Sequence, residues 1–479
     1  MLKKHYWAGQ ICRYMIIFLF LVAFTAGMSL VGVDSARAQT VFTDEILPDH
    51  LSETINSDSH NYKTSTVLPD IYRSRDYELI WIDEEGLSPL GEKLYSLLSD
   101  ADKRGLVVDD YNLNEINGIW FSLSRQNFQE ASPDRIAEME LKLTDGFLRM
   151  MGDLALGQLE SENLERREFS AELKQHLRGV LERVISSGEF YPALQELQPS
   201  HQYYWQLKEE LVERIETGEK SDVIRSLKLN LERWRWLPQD LGDRFIIANQ
   251  PSFTLEVFED NRRIMNMKTV VGETNRETPD ISSRITHLVL SPRWYLPHSI
   301  AVRDHLPKIQ EDIEYLDEKQ LRIYREEDDR FVEVDPEEID WQDKNQDNFP
   351  YYIWQDAGPH NALGRVNFRF PNEHQINLHD TPDRHLFDES YRAYSSGCIR
   401  MEKPLELTHY LLEERDDWDK ERVQKKINQR EETQVNLPEP IDIHLTYFTV
   451  KPDYEEGSLD YYGDIYSRNA KLEQALGFD

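Results

Sequence analysis

The spacing of apolar residues changes once along this chain, near residue 240, and that change limits it to a helical part followed by a β part. Upstream, Ser132-Pro133 reads as a helix start, with serine as N-cap and proline at the first helical position. Ile136, Met139, Leu143, Phe147, Met150 and Leu154 follow at intervals of three and four, a stripe of about six turns. Ser88-Pro89 opens a second helix in which Leu90, Leu94, Leu97 and Leu98 share a face, stopping near Arg104-Gly105. Leu173–Ile185, Tyr203–Ile215 and Asp222–Trp236 are helical by the same periodicity. Pro238 marks the end of the last one.

Beyond Asp240–Gly242 the period is two. Arg244–Asn249 and Ser252–Phe258 alternate around Asn249-Gln250-Pro251-Ser252, a hairpin pattern. Met265–Val271, His287–Leu290, Gln375–His379 and Ile441–Val450 continue the strands, and Pro404–Glu413 forms a helix. Residues from about 298 to 359 interrupt this series. They begin helix-like over Ile300–Leu316, turn densely acidic from Glu326 to Asp347, and read as an insertion covering one face of the β part.

The N-terminus has the layout of an export signal. Lys3, Lys4 and Arg13 precede an apolar run from Met15 to about Val33, and Ala36-Arg37-Ala38 is a small-x-small cleavage pattern. The run is also long enough to serve as an uncleaved anchor. Cys12 belongs to this leader, so the exported part keeps one cysteine, Cys398, and has no intramolecular disulfide to form. The formal charge of −34 argues against nucleic acid as a partner and is compatible with a high-salt surface.

A lone thiol followed upstream by a histidine directs attention to residues 377–400. Ser395-Ser396-Gly397-Cys398 reads as a tight turn feeding a nucleophile, and His379 is the candidate base that would draw off its proton to leave a thiolate–imidazolium pair. The main-chain amides of Gly397 and Cys398 could stabilise an oxyanion. Arg400, two residues past the cysteine in an extended segment, shares its face and suits a substrate carboxylate. Arg384, Arg392 and Arg400 are cations near the thiol in sequence. A metal site built on His374, His379, His385 and Asp380 is disfavoured, because intervals of five and six match no zinc pattern. A serine hydrolase is disfavoured because no G-x-S-x-G elbow is present.

Together these residues resemble the L,D-transpeptidase catalytic domain. The likeness extends to Trp234-Arg-Trp-Leu-Pro238, Pro279 in Glu-Thr-Pro, Trp294 with Pro297, Asn361-Ala-Leu-Gly364, Phe370-Pro-Asn372, His379-Asp-Thr-Pro382, Arg392-Ala393 and Asp464-Ile-Tyr466. It covers roughly residues 68–479 and is strongest over 222–467. It is to the large periplasmic subgroup. The resemblance implies an α+β multidomain chain: a mainly α-helical N-terminal scaffold, then a mainly β catalytic domain with an inserted lid subdomain. The parts are a leader (1–38), a flexible lead-in (39–67), the scaffold (68–220), a connecting helix (221–241), the catalytic domain (242–467, with the insertion) and a C-terminal tail (468–479).

For activity, the resemblance implies cysteine acyl transfer on peptidoglycan stem peptides in the periplasm of a Gram-negative-type bacterium, without a cofactor or metal. Cys398 would attack the carbonyl before the terminal D-Ala of a tetrapeptide stem, release D-Ala and pass the acyl group to a neighbouring amine, giving a 3→3 cross-link. His379 would be the base, oriented by the Asp380 main-chain carbonyl. Ser396, Gly397 and Cys398 amides would form the oxyanion hole, with Arg400 and Arg392 binding substrate. Carbapenem-type inhibitors would acylate Cys398. Two departures stand out: Ser396 occupies a position where many members have histidine, and only about ten residues, Thr217–Ser226, stand where relatives often carry a wall-binding module. Hydrolysis of the same thioester, attachment or detachment of a wall protein, and a non-catalytic wall-binding role are the alternatives.

Overall fold

The computed structural model describes residues 46–57, 62, 64, 66–124, 131–219 and 221–478. The leader and Cys12 lie outside them, as does much of the lead-in. The helical part contains α1 (Ile46–Ser57), α2 (Pro89–Ser99), α3 (Pro133–Leu156), α4 (Ala171–Ser187), α5 (Gln202–Thr217) and α6 (Ser221–Arg235). Helix α1 corrects the expected flexible lead-in over its own span. Leu47, Leu51 and Ile55 recur at four-residue intervals and bury in the helical core, a short pattern easily lost among polar neighbours. Helix α2 begins as expected, with Ser88 Oγ accepting the Gly91 N–H at 3.1 Å. It ends at Ser99, ahead of a 3₁₀ turn that runs to Arg104.

Helix α3 is enclosed on nearly all sides, so its polar residues are buried together with its apolar stripe. Burial is tolerable because they serve as acceptors for loops and neighbouring helices. Glu140 takes the N–H groups of Ile80 and Trp81 at 2.7 and 3.1 Å and the Tyr72 hydroxyl at 2.9 Å. Asp153 takes the Tyr111 hydroxyl at 2.9 Å. At the end of the helical part, Trp234 of α6 stacks between His201 and Phe448, and Asn230 accepts the Thr449 N–H at 2.9 Å. These contacts fasten helix α6 to the β part.

The β part is built on β1 (Arg244–Asn249), β2 (Thr254–Glu259), β3 (Arg262–Gly272) and β4 (Ile281–Leu290). An inserted subdomain follows, the segment expected to act as a lid, with β5 (Trp294–Tyr295), β6 (Leu321–Glu327), β7 (Arg330–Glu333) and β8 (Tyr351–Gln355). The chain then returns through β9 (Val366–Arg369), β10 (Leu378–His379), β11 (Ala393–Ser395), β12 (Ile399–Met401) and β13 (Thr433–Thr446). The main sheet runs β11-β3-β12-β10-β9-β4-β13-β1-β2, and β3 also pairs with β2, which closes the circuit. Closure removes exposed edges. Strand β1 is buried on both faces: Ile246 and Ala248 join the barrel core, while Phe245 and Ile247 pack against Trp234 and the helical part. This explains its continuous apolar run.

The insertion is a folded unit with its own core, including Leu296, Ile323, Trp341, Phe349 and Ile353. It begins earlier than residue 298, because Trp294 and Tyr295 pair with Gln355 and Trp354. The acidic run lies partly on β6 and β7, whose outward positions carry the charges. The final segment is a docked helix rather than a tail. Leu472 and Leu476 of α7 (Arg468–Leu476) bury against Leu159 and Leu229, and Arg468 binds Glu277 and Asp280.

Candidate active site

Strands β10 and β12 are parallel neighbours, with Leu378 opposite Ile399 and His379 opposite Arg400. The ladder extends backward through the Ile399 N–H to the Asn377 carbonyl at 3.0 Å. Leu378, Ile399 and Met401 therefore face the barrel core. Alternation sends Cys398 and Arg400 to the opposite face, beside Asn377 and His379. Cys398 and His379 are diagonal neighbours on that face, with Cα atoms roughly 8 Å apart from strand spacing alone. Their nineteen-residue separation in sequence includes a 3₁₀ turn (Arg384–Asp388) and strand β11.

His379 is buried, and its Nδ1 lies 2.6 Å from the Asp380 carbonyl oxygen. A carbonyl only accepts, so Nδ1 carries the proton and Nε2 is left as the basic nitrogen. Asp380 is itself held firmly. Its carboxylate accepts the Arg365 N–H at 3.0 Å and the Arg365 Nε at 2.5 Å, with Arg384 Nη1 at 3.4 Å. Its own N–H reaches the Val366 carbonyl at 2.9 Å. Gly364 makes this possible: at φ +62°, a Cβ there would stand 2.5 Å from the Asp380 side chain.

Cys398 is half-buried and lines a cavity of about 580 Å³. Trp294, Pro297 and Ile300 of the lid form one wall, and Asn367, Arg369 and Gln375 belong to the other. Its Sγ is 3.9 Å from the Gln375 carbonyl. Gly397 takes φ +115°, where a side chain would be strained and would press on Ile376 at 3.1 Å.

The electrostatics bear on when the expected proton transfer from Cys398 to His379 takes place. Burial pushes the Cys398 thiol above its usual range, against the Asn377 main-chain amide and the charges of Arg369 and Arg400. Burial pushes His379 down to about 4, and Arg400 adds to the fall. Both groups are therefore neutral at rest near pH 7.

The remaining expected residues divide. Arg400 is at the site, though its Nη1 already binds Asp383 at 2.9 Å. Arg392 is not. Its guanidinium donates to the carbonyls of Thr269, Phe253 and Glu389, and it stacks on the Phe253 ring, so it braces β3 instead of binding substrate. Arg384 likewise turns to the Met401 carbonyl and Asp380. The Gly397 N–H donates to Ser395 Oγ at 3.1 Å, inside the turn, which removes it from the oxyanion set in this arrangement. Ser395 Oγ in turn donates to the Cys398 carbonyl at 2.5 Å. His374 and His385 lie exposed, and no cluster suited to a metal ion occurs among the described residues.

Two arginines escaped the sequence reading. Arg369 lines the cavity, acts on both Cys398 and His379, and forms no ion pair among the described residues; its contact with Asn377 Oδ1 is long, at 3.5 Å. Arg276 binds Asp304 of the lid and donates to Ser396 Oγ at 2.8 Å. Each borders a motif quoted above: Arg369 precedes Phe370-Pro-Asn372 and Arg276 precedes Glu277-Thr-Pro279. Adjacency was the available signal.

Residues 66–211 match the family model of a scaffold domain, and residues 243–428 match that of the L,D-transpeptidase catalytic domain. A Haemophilus influenzae protein titled "Putative L,D-transpeptidase" is 27% identical over 431 residues, 87% of this chain and 81% of that protein. A solved L,D-transpeptidase from Mycobacterium smegmatis aligns with 43% of this chain and spans 59% of its own, at 11% identity and a TM-score of 0.20.

Proposed function

We propose that this chain, whose residues 66–211 and 243–428 match the scaffold and L,D-transpeptidase catalytic domain models, forms 3→3 cross-links in peptidoglycan through a Cys398 thioester. The observation that carries the reading is the placement of Cys398 and His379 on one face of the β10–β12 pair, with Nδ1 of His379 held by the Asp380 carbonyl. Because both groups rest neutral, proton transfer accompanies attack. His379 Nε2 takes the thiol proton as sulfur bonds to the stem carbonyl. The C–N bond to D-Ala then breaks, and the same proton passes to the leaving amine. An acceptor amine attacks the thioester, returns a proton through His379, and the thiol is restored.

The amides of Ser396 and Cys398 serve the tetrahedral oxygen in this proposal. Arg369 and Arg400 receive a stem carboxylate, Arg369 having no ion pair among the described residues. The activity belongs to an exported, periplasmic enzyme. Among the described residues no helix is long and apolar enough to cross a membrane.

The test is muropeptide analysis after incubation with tetrapeptide-rich peptidoglycan. Dimers linked 3→3 with free D-Ala are expected. Tripeptides alone would identify a hydrolase acting through the same acyl-enzyme, and an unchanged profile would overturn the reading.

A further inference from the structure

One face of the lid sheet buries Leu321, Ile323 and Ile353 in the lid core. The other face of such a sheet, standing in solvent, is ordinarily polar. Here aromatic rings share it with Arg322, Glu326 and Glu333. Tyr295 is opposite Trp354, Tyr324 is opposite Tyr352, and Phe331 is opposite Glu326, so alternation brings all five rings to the outer face. Tyr324 stacks on Trp354 with ring centroids 3.9 Å apart. Tyr295 lies 5.1 Å from Trp354, Phe331 lies 5.0 Å from Trp354, and Phe331 lies 4.8 Å from Tyr352. Phe331 is 48% exposed, Tyr295 46% and Tyr352 41%. A contiguous exposed aromatic row of this kind marks a surface made for contact.

We propose that this row binds the glycan strand of peptidoglycan and delivers its stem peptide to Cys398; the proposal rests on the cell-wall reading above. Three observations choose the occupant. The row is continuous with the site, because Tyr295 also lines the cavity that holds Cys398. Its polar border is largely an ion-pair ladder, Arg293 with Asp356, Asp356 with Arg322, and Arg322 with Glu333, and Glu326 beside Phe331 accepts the Tyr352 hydroxyl at 3.0 Å. Such a border offers hydrogen bonds to hydroxyl and acetamido groups without favouring a charged polymer. The ring faces are electron-rich, which suits the C–H face of a pyranose. Four strands at about 4.8 Å spacing give the row a width of roughly 15 Å, room for a short run of sugars. A second copy of this chain is the rival occupant.

The experiment uses the full chain, with peptide-free glycan chains and an N-acetylglucosamine tetramer as probes in titration calorimetry. Phe331→Ser combined with Tyr352→Ser is expected to weaken glycan binding at least tenfold, while Tyr352→Phe, which keeps the ring, retains it. In hydroxyl-radical footprinting of the unmodified protein, glycan should protect Tyr295, Phe331 and Tyr352, a readout independent of whether the double variant folds. The ratio of turnover on glycan-linked stems to turnover on free tetrapeptide should fall at least fivefold in that variant. Stem turnover by the unmodified chain with no glycan protection overturns this proposal alone. No turnover on any stem overturns the cell-wall reading instead. A dimer seen in sedimentation that the double variant abolishes, with glycan binding unaltered, assigns the face to a second copy and overturns the proposal.

Discussion

Arg276 grips Asp304 through both terminal nitrogens, at 2.7 and 2.6 Å, and its Nη1 also donates to Ser396 Oγ at 2.8 Å. One guanidinium thus ties the lid to the turn that presents Cys398. The short Ser396 side chain is the acceptor for that guanidinium.

Breaking this link should loosen both partners. Arg276→Ala is expected to slow carbapenem acylation of Cys398 about tenfold, corresponding to about 1.4 kcal/mol, within the range for a charged hydrogen-bond pair. Arg276→Lys should recover little, since lysine cannot make the forked contact. Time-resolved intact mass reads the rate, and a rate equal to that of the unmodified protein would refute the coupling.

Removing the thiol should abolish the adduct altogether: Cys398→Ala is expected to show no carbapenem mass shift. His379→Ala should stay folded and lose about 10²- to 10⁴-fold in turnover, the usual worth of a general base. An adduct on the alanine protein would place the nucleophile elsewhere.

The neutral resting pair makes a pH prediction. His379 titrates at about 4, so its basic nitrogen is lost only as pH falls through about 4. Cys398 is raised, so the thiolate accumulates only on the alkaline side of a free thiol. Alkylation of Cys398 by iodoacetamide should therefore keep rising past about pH 8.5 and show no plateau between about pH 5 and 7. A plateau in that interval would mean a preformed ion pair and sink the assignment.

Glu140 supplies a stability prediction. Burial raises its carboxyl to about 7 in the fold, above the value of an exposed carboxyl. A raised folded pKa means that the folded state binds the extra proton. This contribution to stability is complete below the unfolded pKa of about 4.3 and is lost as pH rises through about 7. The urea midpoint of the unmodified protein should therefore drop more between pH 5 and 8 than that of Glu140→Gln, which cannot titrate. Parallel drops would show that the carboxyl does not titrate there.

Much of the fold was readable because local patterns and burial agree. The stripe on α3 and the hairpin of β1 and β2 are periodic over long runs, and each buries the face its period marks. Helix α1 was missed because three leucine-type positions in twelve residues are a thin signal. The roles of the arginines were not readable at all. Arg392 and Arg369 look equivalent in sequence, yet one is enclosed by three carbonyls and the other lines the cavity with no ion pair among the described residues.

By itself, then, the sequence determined the order of helical and β parts, the single thiol beyond the N-terminal apolar run and its histidine. Those depend on residue type and spacing, which the chain carries locally. Only the tertiary structure decided that the pair rests neutral, that Arg276 latches the lid, and that the Gly397 amide is already engaged. Each of these depends on what distant segments bring within a few ångströms, and on how much water they exclude, and neither quantity is written in local spacing.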